Sequence, residues 1–257
     1  MANPLLLLVD DSADLGVIVR AHCRRIGVEV RHALGIEDGW AALREQPPNL
    51  LLLDLRLTGE HGTELLRRVR TSSKVASLHV ALFTNWMLQE DIEAGLEAGA
   101  DFVFAKDLVT RPDEWRQRVV EILGWSYGRT WNLLVASNTE RTWPTPPVGW
   151  VSLCNEALEQ VLARRLATNL LPVMLRRAVD HTITRLNRKD DPRGWLRAGG
   201  AALNTERLAS VADPETAAHL CVSMADQLWC VLGSQDSGMF ADVLAPVVPH
   251  LKEALLR

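Results

Sequence analysis

The first 125 residues alternate short apolar runs with longer amphipathic segments. The apolar runs have the length and composition of buried strands, and the segments between them have the period of helices. The predicted strands are residues 5–10, 28–33, 50–54, 79–84 and 102–105, and the predicted helices are residues 13–26, 36–45, 63–70, 87–98 and 112–123. Strands that alternate with helices in this way predict an α/β fold with a doubly wound, five-stranded parallel sheet.

The remainder of the chain has a different pattern. Residues 126–151 are rich in Trp, Pro, Ser, Thr and Gly, and Pro144, Pro146 and Pro147 argue against a continuous helix. We interpret this stretch as a linker or an irregular lead-in, within which residues 131–135 fit either a short strand or a helix. Residues 152–257 lack strand signals and predict an all-α helical domain. Its predicted helices are residues 152–167, 170–188, 193–211, 214–232 and 238–256.

Composition narrows the class of protein. Hydrophobic residues make up 47% and charged residues 23% of the 257 positions, which is typical of a globular protein. The first 125 residues carry a net charge of −5 and the rest +1, so bulk charge does not indicate nucleic-acid binding. The apolar run at residues 4–9 is too short to span a membrane and lacks signal-peptide features, so we expect a cytoplasmic protein without membrane attachment. The cysteines form no CxxC pair, which predicts reduced, mostly buried thiols: Cys23, Cys154, Cys221 and Cys230.

Acidic side chains stand where predicted strands end. Asp10 and Asp11 follow the first strand and Asp54 ends the third, and the carboxyl ends of parallel strands meet at one edge of the sheet. Three converging carboxylates repel one another unless a cation lies among them, and Mg²⁺ (or Mn²⁺) prefers such oxygen ligands. With this charge neutralised, Asp54 could attack a phosphoryl group. Thr84 could then donate a hydrogen bond to one phosphoryl oxygen and Lys106 could pair with another.

Residues 1–125 resemble a receiver domain of the response-regulator family, the CheY-like module of two-component systems. The resemblance rests on Asp10 and Asp11 in Leu-Leu-Val-Asp-Asp-Ser, on Asp54 before Leu-Arg-Leu-Thr-Gly-Glu-His-Gly, and on Thr84 and Lys106 at the family spacings. It implies a flavodoxin-like fold and phosphorylation of Asp54 by a sensor histidine kinase or a phosphotransfer protein. It also implies a metal site made by Asp10, Asp11, Asp54 and the backbone carbonyl of Arg56, with Thr84 and Lys106 stabilising the phosphoryl group.

Three features of the sequence depart from the family pattern. Asn85 and Trp86 follow Thr84 where a small residue is usual, and we expect them to tune access to the phosphoryl group and its lifetime. Asp107 follows Lys106 where the family generally has proline, so a cis peptide bond is not expected there. Val103 occupies the usual aromatic position of the fifth strand, which puts in doubt the family's coupling between hydroxyl and aromatic ring.

The helical domain matches no output family, and three hypotheses remain open. An interaction or dimerisation module is favoured by long apolar helices and by five tryptophans, which are often interface anchors but more often core residues: Trp131, Trp143, Trp150, Trp195 and Trp229. DNA binding would use the basic stretch at residues 164–197, above all Arg176, Arg177, Arg185 and Arg188. Phosphotransfer would use His181 or His250.

We therefore predict a non-enzymatic, two-component response regulator with a receiver (1–125), a linker (126–151) and an all-helical output domain (152–257). We expect it to form a homodimer and to act on a protein target through the helical domain. DNA-binding transcriptional regulation is the alternative. A further alternative, motivated by Asn85, Trp86 and Asp107, is a receiver scaffold that works without phosphorylation.

Overall fold

The computed structural model describes residues 3–84, 89–124, 129–140, 147–165, 170–198, 200, 202–211, 213–245, 248 and 250. The chain divides into two compact units, Met1–Trp125 and Ser126–Arg257. None of the helices in the described parts of the chain is both long and apolar enough to cross a membrane.

The first unit is an α/β sandwich around a five-stranded parallel sheet, as predicted. Its strands are β1 (Leu5–Val9), β2 (Glu29–Ala33), β3 (Leu50–Leu53), β4 (Arg56–Leu57), β5 (Glu60–His61), β6 (His79–Thr84) and β7 (Phe102–Ala105). Its helices are α1 (Ala13–Arg24), α2 (Ile36–Glu45), α3 (Thr63–Thr71), α4 (Gln89–Glu97) and α5 (Pro112–Leu123), and a 3₁₀ turn spans Lys106–Thr110. The order in the sheet is β2-β1-β3-β6-β7, with β4 and β5 forming a separate hairpin.

Leucine-rich strands form the centre of this sheet. Every residue of β1 and β3 is buried, because helices cover both faces of a parallel sheet and leave no solvent side for polar alternation. Helix α1 begins directly after Ser12, whose side chain caps it by accepting a hydrogen bond from the Leu15 amide at 3.3 Å. Pro112 starts α5, where its fixed φ and missing N–H do no harm. These elements confirm the predicted α/β fold.

The β4–β5 hairpin was not predicted. It pairs Arg56 with His61 and Leu57 with Glu60 in antiparallel register, inside the loop that connects β3 to α3. Gly59 lies at the turn with a φ of +79°, a conformation that glycine adopts without strain. Two-residue strands are too short to show a periodic pattern, so the sequence predicted only a loop here.

The second unit is helical. Its helices are α6 (Arg129–Ser137), α7 (Pro147–Arg165), α8 (Leu170–Arg185), α9 (Thr205–Val211), α10 (Pro214–Leu232) and α11 (Ser234–Leu244), with a 3₁₀ turn at Pro192–Trp195. Helix α10 is the central element, since it packs against α6, α7, α8 and α11 and is buried from Thr216 to Val231. The Asp213 side chain caps it by accepting a hydrogen bond from the Thr216 amide at 2.7 Å.

Two element predictions for the second unit were wrong. The stretch 126–151, interpreted as a linker or an irregular lead-in, contains α6, which is the helical option left open for residues 131–135. It also contains the start of α7, because Pro147 stands at the first helical position, where proline is tolerated. The helix predicted over 193–211 is broken, since Pro192–Trp195 forms a 3₁₀ turn and Leu196 pairs with Leu203 in an antiparallel bridge before α9 begins. The last predicted helix, 238–256, is described only to residue 250, and α11 ends at Leu244.

The described tryptophans of the second unit belong to its core rather than to an exposed interface. Trp195 is completely buried, and Trp131, Trp150 and Trp229 retain 8%, 3% and 4% of their exposure. The more frequent role of tryptophan, a core residue, is therefore confirmed for these four, and they no longer support an interface, because burying large aromatic surface is how a small helical unit gains stability. Trp143 lies outside the described residues. The four cysteines are buried free thiols.

Candidate functional site

Three carboxylates meet at the carboxyl end of the central strands. Asp10 directly follows β1 and Asp54 directly follows β3, and these strands are neighbours in the sheet. Oxygen atoms of Asp10, Asp11 and Asp54 lie within 4.8 Å of one another. Asp10 is fully buried and Asp54 is 5% exposed, whereas Asp11 is exposed. The parallel register thus brings together the acids that the sequence placed 44 residues apart.

Lys106 supplies the positive charge of this cluster. It follows β7, and its Nζ lies 2.8 Å from Asp10 Oδ2 and 2.6 Å from Asp54 Oδ2. Burial lowers the pKa of Lys106, but the hydrogen bonds and charges of Asp10 and Asp54 outweigh it, and the net shift is upward. The lysine therefore stays protonated and holds the two buried carboxylates together.

Asp54 and Asp11 lie in different environments. Burial raises the pKa of Asp54, although the hydrogen bonds from Lys106 and from the Arg56 amide oppose this shift. A hydrogen bond from the Thr58 hydroxyl lowers the pKa of Asp11, and the Thr58 amide donates to the same carboxylate oxygen at 3.0 Å. Asp11 is thus oriented by the β4–β5 hairpin and stays ionised.

The donor set fits a hard divalent cation. Three carboxylates that offer only oxygen ligands at one open edge of a sheet suit Mg²⁺ or Mn²⁺, which retain waters and bind phosphate oxygens. In the described residues, this is the one group of three or more acidic, histidine or cysteine side chains with metal-binding spacing.

Comparison with known proteins gives this constellation its family. Residues 6–119 match the family model described as the response regulator receiver domain. These residues are a response regulator receiver domain. The domain covers less than half of the chain, and the helical unit lies outside it.

Similar proteins match just under half of the chain. AfsQ1 of Streptomyces coelicolor, a transcriptional regulatory protein, is 36% identical over 117 residues, or 46% of this chain and 51% of AfsQ1. The phosphate regulon transcriptional regulatory protein PhoB of Pseudomonas aeruginosa is 28% identical over 122 residues, or 48% and 51% of the two chains. A solved CheY-like receiver domain protein from Methanospirillum hungatei has 26% identity and a TM-score of 0.43, covering 47% of this chain and 94% of its own. The chain spans about half the length of the curated relatives it matches.

The remaining receiver positions frame the acid cluster. Thr84 ends β6, is buried, and stands opposite Ala105 of β7, the residue before Lys106. Asn85 and Trp86 lie outside the described residues. Asp107 enters the 3₁₀ turn, where its carbonyl accepts a hydrogen bond from the Thr110 hydroxyl at 2.7 Å.

The fifth strand of the receiver sheet, β7, carries no exposed aromatic ring. Phe102, Val103 and Phe104 are all at least 97% buried. Phe104 makes edge contacts with Phe83 and Trp115, at ring-centre distances of 6.0 and 5.6 Å. The ring that the family places three residues before the lysine therefore has no substitute on the surface of this strand.

Sequence reasoning missed three residues beside the cluster. Arg56 Nε lies 2.5 Å from Asp91 Oδ2 on α4, and His61 Nε2 lies 3.7 Å from the other oxygen of Asp91. Arg56 was named only for its backbone carbonyl. A pair separated by 35 residues has no local sequence pattern, so the acid in the first turn of α4 was the one available signal.

The basic residues proposed for nucleic-acid contact are not equally available. Arg188 pairs with Asp190 at 2.5 Å, donates to Thr216 Oγ1 at 3.1 Å and lies over the Trp195 ring, so its guanidinium serves the packing of the helical unit. Arg185 is exposed and donates to Asn132 Oδ1 at 3.1 Å. Arg176 is exposed and Arg177 half-buried on α8.

The histidines considered for phosphotransfer do not stand on an open helix face. His181 is half-buried, with Nδ1 at 3.3 Å from Ser223 Oγ, and its ring lies 5.8 Å from that of His219. Burial lowers the pKa of His219 to about 3. His250 is half-buried.

Proposed function

We propose that this chain is a two-component response regulator that accepts a phosphoryl group on Asp54 from a sensor histidine kinase or a phosphotransfer protein. The observation that carries the proposal is the convergence of Asp10, Asp11 and Asp54 around Lys106. Phosphoryl transfer needs a nucleophile, a charge that binds the transferred group and a cation site, and this cluster offers all three.

In the proposed reaction, a carboxylate oxygen of Asp54 attacks phosphorus. The bond from phosphorus to the donor nitrogen breaks, and its electron pair leaves with that nitrogen. Lys106 is positioned to shift from the carboxylates to a phosphoryl oxygen, and Thr84 would donate its hydroxyl to another. Asp10, Asp11, Asp54 and the Arg56 carbonyl would hold Mg²⁺ or Mn²⁺, which when bound offsets the negative charge of the carboxylates and the phosphoryl oxygens.

The helical unit is proposed as an interaction and dimerisation module for a protein target. Phosphorylation would change the contacts of the receiver face built from α4 and α5. On α5, Val120 is 52% exposed and is available for such a contact.

DNA binding is the second candidate for the helical unit. AfsQ1 and PhoB are named as transcriptional regulators, and α8 carries Arg176 and Arg185 at its surface. Each match covers less than half of this chain and about half of the relative, so the relatives support this candidate only in part. A scaffold that works without phosphorylation is the remaining alternative.

Sedimentation velocity of the full chain tests the proposal, with and without Mg²⁺ and acetyl phosphate, followed by binding of the same samples to mixed genomic DNA. We expect a mass increase that depends on the phosphodonor, is lost in Asp54→Ala and persists in Asp38→Ala, an exposed acid of α2. DNA binding that appears with this shift would favour the second candidate. A wild type that takes up no phosphoryl group would favour the scaffold.

A further inference from the structure

An ion pair joins the phosphoacceptor loop to helix α4. Arg56 stands in β4 of the hairpin and Asp91 in the first turn of α4, and their side chains meet at 2.5 Å between Nε and Oδ2. The Asp91 side chain is 6% exposed, whereas that of Arg56 is 58% exposed. The acid is therefore fixed in the domain, while the guanidinium lies at the surface and has room to move.

The same arginine is attached to the phosphoacceptor. Its amide donates to Asp54 Oδ1 at 3.1 Å, only two residues along the chain. Its strand partner His61 lies 3.7 Å from Asp91 and shares a hydrogen bond of 2.8 Å with the Thr63 hydroxyl at the start of α3. Arg56 thus connects the nucleophile, through its backbone, with α4, through its side chain.

Apolar packing also holds α4 to the domain. It is nine residues long, and Ile92 and Leu96 are its large buried apolar side chains. Gly95 lies so close to the sheet that an added Cβ would come within 2.6 Å of Leu82. The ion pair with the buried acid at the first turn of α4 adds to this packing.

We propose that Arg56 and Asp91 form an electrostatic latch on α4, and that a phosphoryl group on Asp54 opens it by drawing the Arg56 guanidinium away from Asp91. This inference rests on the proposed phosphorylation of Asp54. Phosphorylation replaces the single charge of the Asp54 carboxylate with an aspartyl-phosphate that carries between one and two, and its oxygens accept paired hydrogen bonds from a guanidinium. Asp91 offers one charge, so the arginine has a stronger partner two residues away once Asp54 is phosphorylated.

The latch gives this receiver a way to signal through α4 without an aromatic switch on β7. All four residues of that strand are buried, and Val103 has no ring to rotate. An arginine that changes partners moves a charge between the acid cluster and α4 directly. The released Asp91 keeps His61 as a neighbour, with Nε2 3.7 Å from its carboxylate.

Hydrogen exchange of the full chain, read by mass spectrometry on α4 peptides, tests the latch with Mg²⁺ and acetyl phosphate. The intact mass of each sample records whether the phosphoryl group is present. We expect α4 to exchange roughly tenfold faster in the phosphorylated wild type, the effect of losing one charged hydrogen bond. Asp91→Asn should exchange at the fast rate before phosphorylation, take up the phosphoryl group and show no further change.

Arg68→Gln is the matched control. Arg68 is likewise ion-paired, with Glu37 and Glu64, and these pairs join α3 to α2 and to itself rather than to α4. It should respond like the wild type, whereas Arg56→Gln should resemble Asp91→Asn. A wild type that gains the phosphoryl group with unchanged α4 exchange would overturn the latch and leave the proposed function standing. A wild type without a phosphoryl adduct would instead contradict the proposed function and the latch together. If the exchange of α4 in Arg68→Gln matched that in Arg56→Gln, the latch alone would be overturned.

Discussion

Replacing Lys106 with methionine removes the positive charge that lies between two buried carboxylates. Lys106 Nζ lies 2.8 and 2.6 Å from Asp10 and Asp54, whose residues are 0% and 5% exposed. Breaking a buried ion pair by removing one partner costs about 3 kcal/mol or more, because the other charge stays buried. We therefore expect Lys106→Met to lower the free energy of unfolding of the receiver by about 3 kcal/mol without metal.

Magnesium should reverse part of this loss. Without Lys106 the three carboxylates attract a divalent cation more strongly, so we expect Mg²⁺ to bind Lys106→Met about tenfold more tightly, equivalent to about 1.4 kcal/mol of added stability at saturation relative to the wild type. Native-state hydrogen exchange on peptides from β1 and β3 reports the receiver separately from the helical unit. Lys74→Met, at an exposed lysine, is the control. A loss below about 0.5 kcal/mol, or an unchanged response to Mg²⁺, would refute the role of Lys106 as counter-ion.

Three further substitutions probe both units. Asp54→Asn should leave the metal-free receiver as stable as the wild type or about 1 kcal/mol more stable, because burial raises the pKa of Asp54 and so disfavours its charged form. A clear loss of stability in urea unfolding would contradict this. Burial lowers the pKa of His219 from 6.5 to about 3 in the folded chain, so the unfolded chain binds this proton at a higher pH. The free energy of unfolding therefore falls as the pH drops below 6.5, by about 2 kcal/mol at about pH 5. His219→Gln should flatten this pH dependence in unfolding titrations, and equal slopes would count against it. Trp195→Ala should destabilise the helical unit by about 3 kcal/mol or more, seen as faster exchange in α10, because its ring is completely buried.

The sequence predicts those parts of the receiver that depend on local pattern. Apolar runs such as Leu50–Leu53 can be predicted as strands because a strand covered on both faces has no polar positions. Asp10 and Asp54 can be predicted as site residues because they stand where such runs end. Side-chain pairings are not local. The contacts of Lys106 with Asp10 and of Arg56 with Asp91 join residues on separate elements, and only the assembled sheet brings them together.

The helical unit was harder to predict because its helices have weak amphipathic patterns. Helix α10 is buried all round, so its apolar residues do not mark a single face. Prolines were misleading in one place and informative in another: Pro147 begins α7 inside the supposed linker, whereas Pro214 begins α10 as predicted. The tryptophans gave no positional signal, since aromatic residues serve cores and interfaces alike.

Intact-mass spectrometry of the full chain after incubation with acetyl phosphate tests the central claim most directly, with Mg²⁺ present or chelated, for the wild type and Asp54→Asn. The account predicts the mass of one added phosphoryl group on the wild type, only when Mg²⁺ is present, and none on Asp54→Asn. An adduct that persists in Asp54→Asn, or a wild type that gains none under any condition, would contradict the assignment of Asp54 as the phosphoacceptor.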